Sequence, residues 1–103
     1  MKMKPVQTRK AWSIQDKIEI VALYDYFLQQ QLNGTKYQKA KSVRKLAEKQ
    51  GRSKGSIECK LMNISACRQD IGLVFVTGYK PLKNYEHDLL NLVKFNTKFL
   101  RVA

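Results

Sequence analysis

Residues 41–64, KSVRKLAEKQGRSKGSIECKLMNI, decide how the rest of the chain is read. They spell one helix, a tight glycine turn and a second helix whose first turns are basic. Ala47 is the small residue needed where two helices cross, and Leu46 is its apolar companion. Gly51 can take the left-handed conformation that stops the first helix, and Ile57 is the β-branched plug for a shared core. Ser42 and Ser53 each stand where a hydroxyl can accept from the free N–H groups of an opening turn. The motif helices are therefore expected over 42–50 and 53–68. On the second, Ile57, Leu61 and Ile64 form the stripe to be buried. Lys54, Gly55, Glu58, Cys59 and Met62 form the opposite side, with Lys60 and Asn63 on the flanks. A glycine inside a helix costs ~1 kcal/mol relative to alanine. Close approach of the Gly55 backbone to a phosphate would give that cost a reason; a flexible first turn is the alternative.

Working outward, Trp12-Ser13-Ile14-Gln15-Asp16 opens an earlier long helix, with Ser13 as cap and Asp16 near its positive end. Ile20, Leu23, Tyr24, Phe27 and Leu28 recur at helical spacing as its core-facing stripe. Trp12 is expected to fold back beneath that helix, as core rather than as a ligand site. Asn33-Gly34 is a stop signal, and residues 35–40 form a polar, lysine-rich connection. Residues 1–11 read as a basic flexible arm, either one that follows a phosphate backbone or a minor groove or simply an untied terminus.

Beyond the motif, Leu73-Val74-Phe75-Val76-Thr77 is a short β-type run closed by Gly78-Tyr79-Lys80-Pro81. It reads either as one edge strand or as an extended segment covering the open face of the bundle. Asn84 is expected to cap a last helix from residue 85 to about residue 101. Glu86 and Asp88 sit at its start and Lys94, Lys98 and Arg101 toward its end, as the helix dipole favours. Leu89, Val93 and Leu100 are its inward residues. Should Leu92, Phe95 and Phe99 not also be buried, this helix has apolar surface left for a partner or a second copy. The expected fold class is mainly α: a helix-turn-helix three-helix core plus a short extended segment and a C-terminal helix, forming one domain over 12–103.

The charge is the unusual part of the composition. Lys and Arg number 20 against 8 Asp and Glu, a net +12 in 103 residues. Self-repulsion on that scale points to a polyanionic partner. Lys36, Lys39, Lys41, Arg44, Lys45, Lys49, Arg52, Lys54 and Lys60, against Glu48 and Glu58, place +7 of it on the motif and its approach. A hydrophobic content of 44% excludes a wholly disordered chain. No apolar run approaches the ~20 residues of a membrane span, and MKMKPVQTRK lacks the apolar segment of a signal peptide. A soluble, cytoplasmic protein with no membrane contact is expected. Cys59 and Cys67 fall about two turns apart on one helix, ~12 Å along its axis, too far for a disulfide. His87 is the only histidine. No glycine-rich nucleotide loop is present, and no nucleophile has a base beside it. The expectation is a non-enzyme with neither metal nor cofactor.

Two fragments carry a family resemblance. Trp12-Ser13-x-x-Asp16 resembles the opening of a Myb/SANT-type three-helix domain, and residues 52–64, RSKGSIECKLMNI, resemble the start of its third, DNA-reading helix. From Trp12 onward, the chain resembles more closely the N-terminal module of some bacterial and phage HNH-type endonucleases. That likeness includes Gly72-Leu73 and Gly78-Tyr79-Lys80-Pro81-Leu82 ahead of the last helix. The run Arg52-Ser53-x-Gly55-Ser56-Ile57-x-x-Lys60-Leu61-x-Asn63 is its most specific part. Both resemblances imply a DNA-binding module. The chain departs from Myb repeats in carrying Leu61 where they bury an aromatic. It also has Glu58, Cys59 and Met62 at groove-facing positions that often hold Asn or Lys. The endonuclease resemblance implies a downstream nuclease domain, and the sequence ends without one, so it implies binding rather than cutting.

The candidate nucleic-acid-binding set is Lys41, Arg44, Lys45, Arg52, Ser53, Lys54, Ser56, Glu58, Lys60, Met62, Asn63 and Lys80. Arg52, Ser53 and Lys54 stand at a helix N-terminus, where free N–H groups and the helix dipole favour phosphate. Lys41, Arg44 and Lys45 would hold the backbone across the strand, which positions a protein without reading sequence. Glu58 can accept from a cytosine amino group, and Met62 and Cys59 can touch a thymine methyl. Asn63 either pairs with adenine or braces a neighbouring segment. Lys80 can reach the backbone from its loop, while Tyr79 is expected to pack. The aromatics fall mostly on core faces, which favours duplex DNA over single-stranded RNA. The expected function is double-stranded DNA binding by a small regulator or recognition module. The alternative is a phage or mobile-element protein that binds RNA, a ribonucleoprotein or an acidic protein partner to inhibit a host defence system. A third reading is a homodimer formed through the C-terminal helix.

Overall fold

The computed structural model describes residues 11–100, the side chains of 98–100 excepted. All but Ala11 of the expected basic arm, together with Arg101, lies outside the described residues, as do the side chains of Lys98, Phe99 and Leu100. The chain is mainly helical, with α1 at Ile14–Asn33, α2 at Lys39–Gln50, α3 at Lys54–Asp70 and α4 at His87–Leu100. No strand occurs among the described residues, so the β-type run at 73–77 is an extended segment.

Local chemistry sets most helix ends. The Ser13 hydroxyl accepts from the Asp16 N–H at 3.0 Å while the Asp16 carboxylate accepts from the Ser13 N–H, a reciprocal capping box for α1. At α3 the Ser53 hydroxyl accepts from the Ser56 N–H, a one-way cap. Gly34 and Gly51 close α1 and α2 with φ of 69° and 66°, where a side chain would clash with its own backbone. Two expected caps are corrected. α2 begins at Lys39 with Gln38 at the cap, so Ser42 lies inside the helix and its N–H already bonds the Gln38 carbonyl. α4 begins two residues later than expected. The Asn84 side chain is engaged instead by Asn63, whose amide donates to both Asn84 Oδ1 and the Leu82 carbonyl.

Side-chain pairings fix the helix directions. The start of α1 meets the end of α2 through Asp16–Gln50 and Glu19–Lys49, so these two run antiparallel. Asp16 meets Arg52 just before α3, and Tyr24 meets Ser65 further along, so α1 and α3 run parallel. Lys17 pairs with Asp88 near the start of α4, and Leu28 shares a cleft with Thr97 near its end, making α4 parallel to α1 as well. Consecutive helices α3 and α4 can be parallel only because residues 71–86 return along the length of α3. Leu82 N–H bonds the Met62 carbonyl, and Glu86 reaches Lys60.

Ile20, Tyr24, Phe27, Val43, Ile57, Leu61, Ile64, Val76, Leu89 and Val93 form the core. Leu23 of the expected stripe is half-buried, and Phe95 of α4 is 61% exposed. Phe27 stacks on Tyr79 with centroids 6.1 Å apart, which packs Tyr79 as expected. The Tyr24 hydroxyl is the polar centre of this core. It lies 2.8 Å from Ser65 Oγ and accepts the Val76 N–H at 2.7 Å, pinning the return segment to α1. Tyr24→Phe keeps the ring but leaves a buried N–H and a buried hydroxyl without that partner. It is expected to cost about 1–3 kcal/mol, read as a lower urea midpoint at unchanged slope; an unchanged midpoint would refute the role.

Candidate nucleic-acid interface

Arg52, Lys60 and Asn63 belong to the interior rather than to an outward face. Sequence spacing places Arg52 at the outward N-terminus of α3, but its side chain is 1% exposed. The guanidinium lies 3.7 Å from the centroid of the Trp12 ring and donates to Gln50 Oε1, the Ala11 carbonyl and Asp16 Oδ2. A planar, weakly hydrated cation suits that slot because it can stack and donate in its own plane at once. Trp12 is thus half-buried beneath Arg52, with Lys60 Nζ 5.0 Å from the same ring. Lys60 is also buried and bonds Glu86 at 3.2 Å. Asn63 braces the return segment, the second of its two expected roles. All three point inward because α1 and the return segment supply carboxylates and carbonyls there, which one helix's spacing does not reveal.

Electrostatics at this end of the bundle follow from burial and pairing. Burial alone would raise the Asp16 carboxyl, but the Arg52 hydrogen bond and the Ser13 cap outweigh it and hold it below its ordinary value. Burial would lower Lys17; its bonds to Asp88 and Glu86 reverse that and keep the ammonium above its ordinary value. Glu86 is lowered against its own desolvation by Lys60 and Lys17. On the surface, hydrogen bonds from Lys49, Gln50 and Gln15 pull Glu19 down to about 2.

The other candidates remain accessible. Lys41, Arg44, Lys45, Lys54 and Lys80 are exposed, and Ser53, Ser56, Glu58 and Met62 are half-exposed. Lys41, Arg44 and Lys45 share the outer face of α2, opposite the buried Val43, Ala47 and Gln50. The Ser53 hydroxyl already accepts from the Ser56 N–H, which leaves its proton for an outside acceptor. Gly55 is exposed, and a Cβ built there would meet only Ser53 Oγ, at 4.0 Å. Internal packing therefore does not require glycine at this position. Beside it, Trp12, Ser53, Gly55, Ser56, Cys59, Lys60 and Asn63 line a shallow concavity of about 290 Å³. The return segment covers the far half of α3, so only its first turns face outward. Cys59 is exposed and Cys67 buried, both as free thiols, and burial pushes Cys67 up to about 12.

Pairing redistributes the charge. Asp16, Glu19, Asp70, Glu86 and Asp88 each hold a basic partner. Those pairs take Lys49, Arg52 and Lys60 out of the nine basic residues of the motif region. Lys36, Lys39, Lys41, Arg44, Lys45 and Lys54 make no ion pair among the described residues. The residue that spacing passed over is Lys39. It donates to the Thr77 carbonyl and lies 5.1 Å from the centroid of the Tyr79 ring, fixing the loop that carries Lys80. Gly78, two residues before Lys80, was the available signal. A Cβ there would come within 2.9 Å of Lys39 Nζ.

No known protein family, curated protein or solved structure matches this chain, and no described helix is long and apolar enough to cross a membrane.

Two outcomes follow from these pairings. Arg52→Ala removes the guanidinium that donates to Asp16 Oδ2 and Gln50 Oε1 and that stacks on Trp12. It is expected to cost about 3 kcal/mol or more and to shift the emission of Trp12, the chain's single tryptophan. Arg52→Lys is expected to restore little of this, because it lacks the planar fork; unchanged melting and emission would show the slot is not structural. The second outcome concerns acid. Carboxylates held below their ordinary values contribute stability above the unfolded pKa and lose it as pH falls through the folded one. For Glu19 that window runs from 4.5 down to about 2. Unfolding free energy should therefore fall across it, and Glu19→Gln should flatten the decline.

Proposed function

We propose that the chain binds double-stranded DNA through a Myb-like helix-turn-helix made by α2, the turn at 51–53 and α3. It would act as a cytoplasmic regulator or recognition module with no catalysis of its own. The carrying observation is the set of exposed cations on the outer face of α2, at Lys41, Arg44 and Lys45, together with Lys54 at the start of α3. None has an ion-pair partner among the described residues, whereas Lys49, Arg52 and Lys60 of the same region are paired. A surface that keeps such charges unpaired has high affinity for a polyanion. The exposed first turn of α3 supports the same reading, since Gly55 lets the backbone approach a phosphate there without an internal packing demand. Lys41, Arg44, Lys45, Lys54, Ser53 and Ser56 are proposed as backbone contacts, with Lys80 reaching the same strand from its loop. Glu58, Met62 and Cys59 are left to meet base edges. Arg52, Lys60 and Asn63 drop out of the contact set, because their polar groups are engaged inside the fold. The resemblance of 52–64 to DNA-reading helices then rests on residues that build the helix's seat as much as on residues that touch the groove.

The test is a binding titration against random-sequence duplex DNA and against single-stranded RNA at several salt concentrations. Lys41→Ala/Arg44→Ala/Lys45→Ala and Lys54→Ala are compared with Lys94→Ala, an exposed change on α4. Duplex binding should weaken with salt, and each lost phosphate contact should flatten the log–log slope by ~0.9. Lys94→Ala should leave it unchanged. Binding that ignores both the salt and the α2 substitutions would sink the proposal. Preference for single-stranded RNA would move the reading to an RNA partner.

A further inference from the structure

Opposite the basic face lies a surface of the reverse character. α4 packs on α1 and α3 and, among the described residues, does not approach α2, so the seam between α1 and α4 faces away from Lys41, Arg44 and Lys45. Along α1, Ile14, Ile18 and Ala22 repeat every four residues on a second apolar stripe, apart from the core stripe of Ile20, Tyr24 and Phe27. Ile14 is 56% exposed and Ile18 45%. Of this stripe, Ile18 and Ala22 join Val21, Leu92, Phe95 and Asn96 in lining an apolar groove of about 210 Å³, and Phe95 is 61% exposed there.

We infer that this groove is a self-association surface whose occupant is a second copy of the chain. Two observations select that occupant. The first is charge. In a molecule of net +12, the groove residues carry no Lys or Arg, and the Lys17 near its start is buried against Asp88 and Glu86. Two like-charged copies can meet here without bringing cations face to face, which they cannot do across α2. The second is shape. A projecting phenylalanine and an apolar slot lie side by side on one molecule, so a two-fold axis between copies would seat each Phe95 in the other's slot. Such a pairing is self-complementary and closes at two copies. It would also leave both α2 faces outward, so the inference stands independently of what the basic face binds.

The experiment is sedimentation equilibrium of the whole chain from micromolar to millimolar concentration, with circular dichroism to confirm helical content. The wild type should pass from monomer to dimer over that range. Phe95→Ala should weaken association about 30-fold, the effect of losing one interfacial anchor residue. Ile18→Glu, an exposed position where the fold tolerates charge, should leave only monomer. Lys94→Glu, on the other side of α4, should dimerise like the wild type. A wild type that stays monomeric throughout, or a dimer that survives both groove substitutions with helicity intact, would overturn the inference.

Discussion

Three cations buried at one end of the bundle hold the structure in register. Arg52, Lys17 and Lys60 have side chains 1%, 7% and 9% exposed. Taking such groups out of water costs several kcal/mol each unless a carboxylate and further hydrogen bonds replace the solvent. Asp16, Glu86 and Asp88 supply that replacement, and each belongs to an element other than its partner's. The pairs therefore tie the start of α1, the turn before α3 and the approach to α4 into one junction. Their value lies less in net stability than in the large penalty for any arrangement that separates them. A slipped helix would strand a buried charge.

The same junction explains the unusual path of the chain. Helices joined by short loops pack antiparallel, as α1 and α2 do. α4 instead runs parallel to α3, and the segment at 71–86 must travel back along α3 to make that possible. An extended segment has few hydrogen bonds of its own, so side chains satisfy it. Tyr24 bonds Val76 at one end, Asn63 holds Leu82 and Asn84 in the middle, and Lys60 takes Glu86 at the other. Gln31 adds a further tie by accepting from the Thr77 N–H and donating to the Phe75 carbonyl. Polar residues that look like surface groups in sequence are thus spent on fixing the return path.

That use of polar residues sorts the charge by face. Asp16, Glu86 and Asp88 meet where α1, α3 and the start of α4 converge and neutralise the cations there. Among the described residues, Lys41, Arg44 and Lys45 on the outer side of α2 make no ion pair, and the groove between α1 and α4 is lined without Lys, Arg, Asp or Glu. One small bundle so presents a cationic surface and an apolar surface on opposite sides. Each has a different physical claim on a partner, Coulombic attraction for one and removal of hydrocarbon from water for the other.

Local signals in the sequence were enough for the helices themselves. Ser13 and Ser53 cap because a hydroxyl two or three residues from a free N–H acts within one turn, and Gly34 and Gly51 stop helices because their conformation is a property of the residue. The stripes of α1 and α3 were legible for the same reason, since periodicity is a one-dimensional record of burial. The excess positive charge and its concentration near α2 were equally plain. The roles of Arg52, Lys60 and Asn63 were not legible. Their spacing on α3 predicts an outward or flanking direction, and only the tertiary packing of Trp12, Asp16, Glu86 and the return segment against that helix turns them inward. Ser42 and Asn84 fail as caps for a related reason, because a neighbouring turn or side chain offered a competing partner. Sequence determined which residues form helices and how much charge they carry. Tertiary structure decided which of those charges are satisfied inside, because a buried ion is stable only beside a partner that lies far away along the chain.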